Sequence, residues 1–311
     1  MTGTAPDPQK FVHPALFYSG EQQYVTGTVP FVLEGLAREE PVAVAAPPDR
    51  LQLIRDQLGD QARRVQFVDM TQAGRNPGRI IPGVLRRFAD AHTGGRVRII
   101  GEPIWPGRSA VEYPACVQHE ALINEAFTGR AVTILCPYDV DGLDETVLKD
   151  AWATHPVVVA EGSETASVAY SPEAVVARYN QALPVPPAAQ ATSFEGSGQL
   201  PTVREFAVRQ GERLGLAGAR LEDLQLAVAE LTTNSVVHGA GGGTLRIWGE
   251  DEQVVCEVQD AGRLTDPLAG RRPPPPERPG GRGLLFVNHV ADLVRIHTSE
   301  AGTTIRFYIG R

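Results

Sequence analysis

Glu230, Asn234 and His238 stand four residues apart, in a segment whose Leu221, Leu224, Val228 and Leu231 recur at helical spacing. On a helix the three polar groups stack along one face, apart from the apolar stripe. A carboxylate and a carboxamide one turn apart suit a divalent cation and its water. The Asn oxygen is a hard ligand of the kind Mg2+ takes, and the Glu can orient or deprotonate a water or hydroxyl. Further on, Asp260 closes a strand-like run and is followed by Ala261 and Gly262. An Asp so placed accepts a hydrogen bond from an exocyclic amine, and the glycine lets a ligand come close. Gly280-Gly281-Arg282-Gly283 opens a helical pattern, whose free N–H groups and dipole favour phosphate. Gly302-Thr303-Thr304 leads into the last strand-like run. Alone, each is ordinary: a solvated helix face, an Asp-x-Gly turn, a glycine-rich helix start, a hairpin turn.

In the first half of the chain, His13, Cys136 and His155 each fall beside an expected strand end. Two readings stay open for them: convergence on a metal or haem, or packing as hydrogen-bonded residues at strand ends. Cys136 is also a candidate redox thiol. His119-Glu120 is similar to the start of a histidine-kinase phosphoacceptor box. The paired-helix hairpin that should accompany such a box does not follow, so His119 is read as structural.

The elements that must position these groups come in two styles. Short β-branched runs at 41–46, 64–68, 96–100, 131–135 and 157–160 alternate with helical spacing at 51–58, 80–91 and 113–127. That alternation predicts an α/β layer with a mostly parallel sheet. After the run at 41–46 the sequence is Pro47-Pro48-Asp49-Arg50, without the Gly and Lys of a phosphate loop, so the first half has no ATP motif. Apolar periodicity then stops at 184–198, a Pro/Ala/Ser/Gly stretch read as a linker between domains 1–183 and 199–311. Beyond it, helices at 202–214 and 221–237, strands at 244–248 and 254–259, a Gly/Pro-rich loop, a helix at 283–290 and strands at 293–297 and 303–309 predict an antiparallel or mixed sheet with helices on one face.

Composition narrows the function. With 311 residues, 42% hydrophobic and 21% charged, the chain is globular rather than disordered and long enough for two cores. A net charge of -8 supplies no basic face for direct nucleic-acid contact. Three cysteines, Cys116, Cys136 and Cys256, are too few and scattered for a disulfide framework and fit a reducing compartment. The first residues lack a basic and apolar leader, and the longest apolar runs are strand-length. The expectation is a cytoplasmic protein with no membrane segment.

Glu230-Leu231-Thr232-Thr233-Asn234, Asp260-Ala261-Gly262, Gly281-Arg282-Gly283 and Gly302-Thr303-Thr304 match, in order and spacing, the N-box, G1, G2 and terminal motifs of the GHKL (HATPase-type) ATPase superfamily. The match runs over 199–311 and is most similar to the bacterial anti-sigma-factor serine kinases. The resemblance implies a Bergerat α+β sandwich that binds ATP and Mg2+. It assigns Asn234 to Mg2+, Glu230 to the general base, Asp260 to the adenine amine, and Gly262, Gly281 and Gly283 to closures around the nucleotide. Thr303 would lie beside the adenine pocket. Residue 264, where the full G1 pattern has a second glycine, is Leu, and 270–281 would form the lid.

The pattern Phe11-Val12-His13-Pro14-Ala15-Leu16-Phe17-Tyr18-Ser19, with Leu135-Cys136-Pro137-Tyr138-Asp139 and Thr154-His155-Pro156-Val157, resembles the MEDS sensory domain. That family implies a RecA/KaiC-like fold that has lost its phosphate loop and responds to an unknown small-molecule signal. The two resemblances together imply a sensor-controlled anti-sigma regulator. Its expected partners are a sigma factor and an antagonist protein, the latter phosphorylated on Ser. Its expected contact surface, also that of a homodimer, is the helices around Arg204, Phe206 and Arg213. The alternative is a catalytically silent, ligand-responsive binding module on a degenerate ATPase scaffold.

Overall fold

The structure is a computed structural model that describes residues 11–272 and 281–311. Residues 1–10, read above for a leader, and 273–280 of the expected lid lie outside the described residues. The chain forms two compact units, Met1–Tyr179 and Asn180–Arg311. Among the described residues, no helix is long and apolar enough to cross a membrane.

The first unit runs β1 (Pro14–Tyr18), α1 (Gly20–Ala37), β2 (Val42–Ala46), α2 (Pro48–Leu58), β3 (Val65–Asp69), α3 (Met70–Ala73), α4 (Arg87–Ala91), β4 (Val97–Gly101), α5 (Tyr113–Ala126), β5 (Val132–Asp139), α6 (Glu145–Thr154), β6 (Val157–Ala160), β7 (Ser163–Ala166) and α7 (Pro172–Arg178). Its sheet has the order β3-β2-β4-β5-β1-β6-β7. All pairings are parallel except β6 with β7. Strands β2 and β4 are buried at every residue, which is why they read as continuous apolar runs rather than as alternation. The expected helix at 80–91 is split between a π-helical stretch, Ile81–Arg86, and α4.

One expectation needs correction. The run at 41–46 is the second strand, and the first is β1, seated between β5 and β6 near the middle of the sheet. Pro14 argues against so central a place for it, because proline lacks the N–H of a ladder bond. Here it occupies the first position, where a missing N–H costs least. The residues after β1, Ser19-Gly20-Glu21, also carry no Lys.

The second unit runs β8 (Gln190–Glu195), α8 (Leu200–Arg213), α9 (Gly218–His238), β9 (Gly242–Glu250), β10 (Gln253–Asp260), α10 (Gly283–Val290), β11 (Leu293–Ser299) and β12 (Gly302–Gly310). Its sheet, in the order β11-β12-β10-β9-β8, is antiparallel throughout. Val254, Cys256 and Val258 of β10 alternate into a core with Leu224, Ala227, Val228 and Leu231 of α9, joined by Val203 and Ala207 of α8 and Val287 of α10. Glu257, between them, turns to the other face, where Arg246 and Arg306 hold its carboxylate at 3.0 and 2.7 Å. Part of the stretch expected as a linker is therefore structural. Residues 190–195 form β8, paired along β9 from Gln190 with Ile247 to Glu195 with Gly242. As an edge strand with only Phe194 buried, β8 has a polar composition that conceals it.

Candidate functional site

The second half of α9 is where the predicted groups of the second unit gather. Glu230 and Asn234 are half-buried, one turn apart. Gly283, the first residue of α10, lies against both. A Cβ there would stand 2.6 Å from Glu230 Oε2 and 3.2 Å from Asn234 Nδ2, so the glycine lets the start of α10 come this close without displacing the Glu230 side chain. The first N–H groups of a helix have no intrahelical acceptor, and α10 therefore presents free donors beside a carboxylate and a carboxamide. Gly281 precedes it in the left-handed region, at φ 76°.

Asp260 is fixed by two donors. The Ser235 hydroxyl gives it a hydrogen bond at 2.6 Å, and the Gly262 N–H another at 2.8 Å. Each carboxylate oxygen has two acceptor sites, so one on each remains for an incoming N–H. The backbone around it is equally close. Gly302, at φ 132°, would place a Cβ 2.0 Å from the Asp260 carbonyl oxygen. Thr303, opposite Asp260 in the β10–β12 register, gives its hydroxyl proton to the Gly262 carbonyl at 2.8 Å and accepts the Leu264 N–H at 3.1 Å. Leu264, in place of the second G1 glycine, is thus tied to Thr303 through its backbone.

Sequence reasoning missed Ser235 and Gly239. They stand four apart on the face of α9 turned to β10, and a Cβ on Gly239 would enter the Asp260 carboxylate. The pattern of a small residue beside Asn234 and a glycine one turn later was the available signal. His238 is exposed at the helix end. At the lid's edges, Asn288 of α10 gives a hydrogen bond to the Gly270 carbonyl at 3.0 Å, and Arg272 pairs with Asp266 at 3.6 Å. Arg204 caps the Leu200 carbonyl at 3.3 Å, Phe206 packs against the core, and Arg213 is exposed.

In the first unit His13, Cys136 and His155 do converge, and Glu120 of α5, named above only as the neighbour of His119, joins them. The ligand atoms of the four lie within 4.8 Å of one another, and all four residues are buried. His13 precedes β1, Cys136 lies on β5 opposite Ala15, and His155 precedes β6, so three adjacent strands present them side by side. His13 Nε2 and His155 Nε2 approach Glu120 Oε2 at 3.4 and 3.2 Å, and Cys136 Sγ lies 3.4 Å from His13 Nε2. Burial and the Glu120 charge push the Cys136 thiol well up, so it lacks the lowered pKa of a redox-sensitive thiol. His119, on the same helix, is buried at 1% exposure.

A second polar group lies at the carboxyl edge of the same sheet, where open α/β sheets bind ligands. Glu102, just past β4, accepts hydrogen bonds from the Tyr24 and Tyr18 hydroxyls at 3.2 and 3.5 Å. Arg50, within 3.3 Å of Asp139, lies over both tyrosine rings. Burial pushes the Glu102 carboxyl up to about 8, against the opposing pull of Arg50.

Two family profiles match separate parts of the chain. Residues 12–156 match the profile of MEDS, the MEthanogen/methylotroph, DcmR Sensory domain. Residues 196–309 match that of the histidine kinase-like ATPase domain. No curated protein matches the chain. Among solved structures, the chain is similar to the RsbU and RsbW domains of a Mycobacterium tuberculosis protein, at 20% identity over 41% of this chain and 34% of that one, with a TM-score of 0.31. It is also similar to the ATP synthase subunit NeqB of Nanoarcheaum equitans, at 8% identity over 73% of this chain and 64% of that one, with a TM-score of 0.35. The chain thus spans 34% of the first relative and 64% of the second, under two thirds of each.

Proposed function

From a chain that joins a MEDS sensory domain to a histidine kinase-like ATPase domain, we propose an anti-sigma regulator. It binds ATP with Mg2+, sequesters a sigma factor, and phosphorylates a serine on an antagonist protein under control of the sensory domain. One observation carries the reading of the nucleotide site. Glu230, Asn234 and the start of α10 on one side, and Asp260, Gly262 and Thr303 on the other, meet around the second half of α9.

The roles follow from chemistry. Asp260, held by Ser235 and Gly262, accepts the exocyclic amine of adenine. The N-terminus of α10 and Gly281 meet the phosphates, which helix donors and dipole favour. Asn234 would hold Mg2+, which when bound would neutralise phosphate charge. Glu230 takes the proton of the attacking serine hydroxyl as its oxygen bonds to the γ-phosphorus. The bond from that phosphorus to the β–γ bridging oxygen then breaks, and ADP leaves. Arg204, Phe206 and Arg213 on α8 mark the surface for the sigma factor, the antagonist or a second copy of the chain.

Leu264 favours a second reading, a binding module that holds nucleotide without turnover. Radiolabelled ATP with a candidate antagonist from the same genome separates the two. Label on serine that is lost in Glu230→Ala supports the kinase. Nucleotide binding without transfer supports the module, and absence of nucleotide binding in the wild type removes both.

A further inference from the structure

We propose that His13, Glu120, Cys136 and His155 form a closed site for one zinc-class metal ion, built into the centre of the sensory domain. The donor set is two imidazoles, a carboxylate and a thiol, the mixture that zinc takes in tetrahedral sites. Three of the six ligand-to-ligand distances agree with that geometry, and all six lie within 4.8 Å. Zinc bonds of about 2.0–2.3 Å at tetrahedral angles give ligand-to-ligand edges of about 3.3–3.6 Å. The three close pairs in the cluster stand at 3.2, 3.4 and 3.4 Å.

The surrounding hydrogen bonds fix which atoms face inward. Asn124 Nδ2 gives its protons to carbonyls, including that of Thr154 at 2.8 Å, so its Oδ1 must accept. That acceptor lies 3.1 Å from His13 Nδ1, which therefore carries the proton and leaves the Nε2 lone pair facing the cluster. His155 Nδ1 lies 2.9 Å from the Ala151 carbonyl, which can only accept, so His155 Nε2 also turns a lone pair inward. Metal-binding histidines are commonly oriented in this way through their outer nitrogen. Two lone pairs and a carboxylate thus point at one another. Neither Glu120 oxygen nor His155 Nε2 has a hydrogen-bond partner among the described residues. Unsatisfied groups so deeply buried are costly, and a cation between them removes the cost.

Charge closes the account. One divalent ion with the Glu120 carboxylate and a Cys136 thiolate is neutral, the thiol having given up its proton on binding. With four protein ligands and exposures of 0–1%, the site has no open position for a substrate. It ties α5 to β5, β1 and β6, three neighbouring strands of the sheet.

The test uses the full chain purified without chelator. Elemental analysis should find one zinc per chain in the wild type, lost in His155→Gln. The chelator-stripped chain titrated with Co2+ should develop the visible bands of tetrahedral cobalt and a thiolate-to-cobalt charge-transfer band, the latter absent from Cys136→Ser. Asn124→Ala keeps all four ligands and should weaken affinity about 10–100-fold with the band intact. A folded wild type that carries no zinc and takes up neither Zn2+ nor Co2+ overturns the proposal. So does a cobalt complex without a thiolate band, a result read on the wild type alone should Cys136→Ser fail to fold. None of these readouts involves nucleotide, so their failure leaves the ATP site standing.

Discussion

The two polar clusters of this molecule are made in opposite ways. In the sensory domain four ligand-type side chains face one another at the centre of the fold, with their donors turned inward. Along α9 of the ATPase domain the groups are half-buried, walled by glycine backbone and left with acceptors to spare. A cluster of the first kind holds something permanently or stays closed. One of the second kind suits a ligand that comes and goes. The difference lies in the neighbours: adjacent parallel strands under α5 bury whatever they converge on, whereas a helix beside strand ends and a loop leaves Glu230, Asn234 and Asp260 half-buried.

The largest effect expected is a pH response of the buried side. Glu102, facing Tyr18, Tyr24, Arg50 and Asp139, has its carboxyl raised to about 8 from an ordinary 4.5. A group raised on folding contributes fully below its unfolded value and loses that contribution as pH rises through its folded value. At about 1.4 kcal/mol per unit, the sensory domain should lose ~4 kcal/mol between pH 4.5 and 8 from this residue. Chemical denaturation across that window, wild type minus Glu102→Gln, should show the loss. A flat difference would mean that the carboxyl is not held in this way.

The next effect belongs to the open side and asks whether its glycine walls matter. Gly302→Ala would put a methyl group 2.0 Å from the Asp260 carbonyl at φ 132°. Strain and overpacking together should cost about 3 kcal/mol in the ATPase domain. Thermal unfolding should show that transition lowered by several degrees and the sensory domain's unmoved.

These two regions were unequally legible in the sequence. The α9 face could be read because an amphipathic helix keeps its polar and apolar residues on separate stripes, and Leu224, Val228 and Leu231 set the phase for Glu230 and Asn234. Glu120 could not, because α5 is buried nearly all round, from Pro114 through Ile123, and periodicity then distinguishes no face. His13, Cys136 and His155 could be named as strand-end residues. That they meet depends on β1 entering between β5 and β6, and Pro14 at its start argues against that central place. Ser235 was hidden for another reason: its role is to hold Asp260, and only the pairing of α9 with the end of β10 brings the two together.

Nucleotide should tell the clusters apart directly. Mg-ATP at about 100 times its dissociation constant stabilises the domain that binds it by about 2.7 kcal/mol. The ATPase transition of the wild type should rise accordingly, that of Asn234→Ala should not, and the sensory transition should stay in place in both. A wild-type chain indifferent to saturating Mg-ATP would undo the assignment of the α9 face.

The smallest effect tests the finest feature of the open site, the aim of Asp260. Ser235 gives its proton to one carboxylate oxygen at 2.6 Å, and the Gly262 N–H occupies the other at 2.8 Å. Removing the hydroxyl leaves the glycine contact and the burial of the helix intact, so Ser235→Ala should fold as the wild type does. What it loses is one hydrogen bond to a charged group, about 1.5 kcal/mol, which corresponds to about tenfold in affinity if that bond matters only with adenine in place. Calorimetric titration should therefore show ATP and ADP weakened about equally, since both carry adenine, and tripolyphosphate unaffected. Equal loss for all three would mean that Ser235 supports the whole cleft. No loss would mean that Gly262 alone holds Asp260, and Ser235→Thr, which restores the hydroxyl, would then match Ser235→Ala instead of recovering affinity.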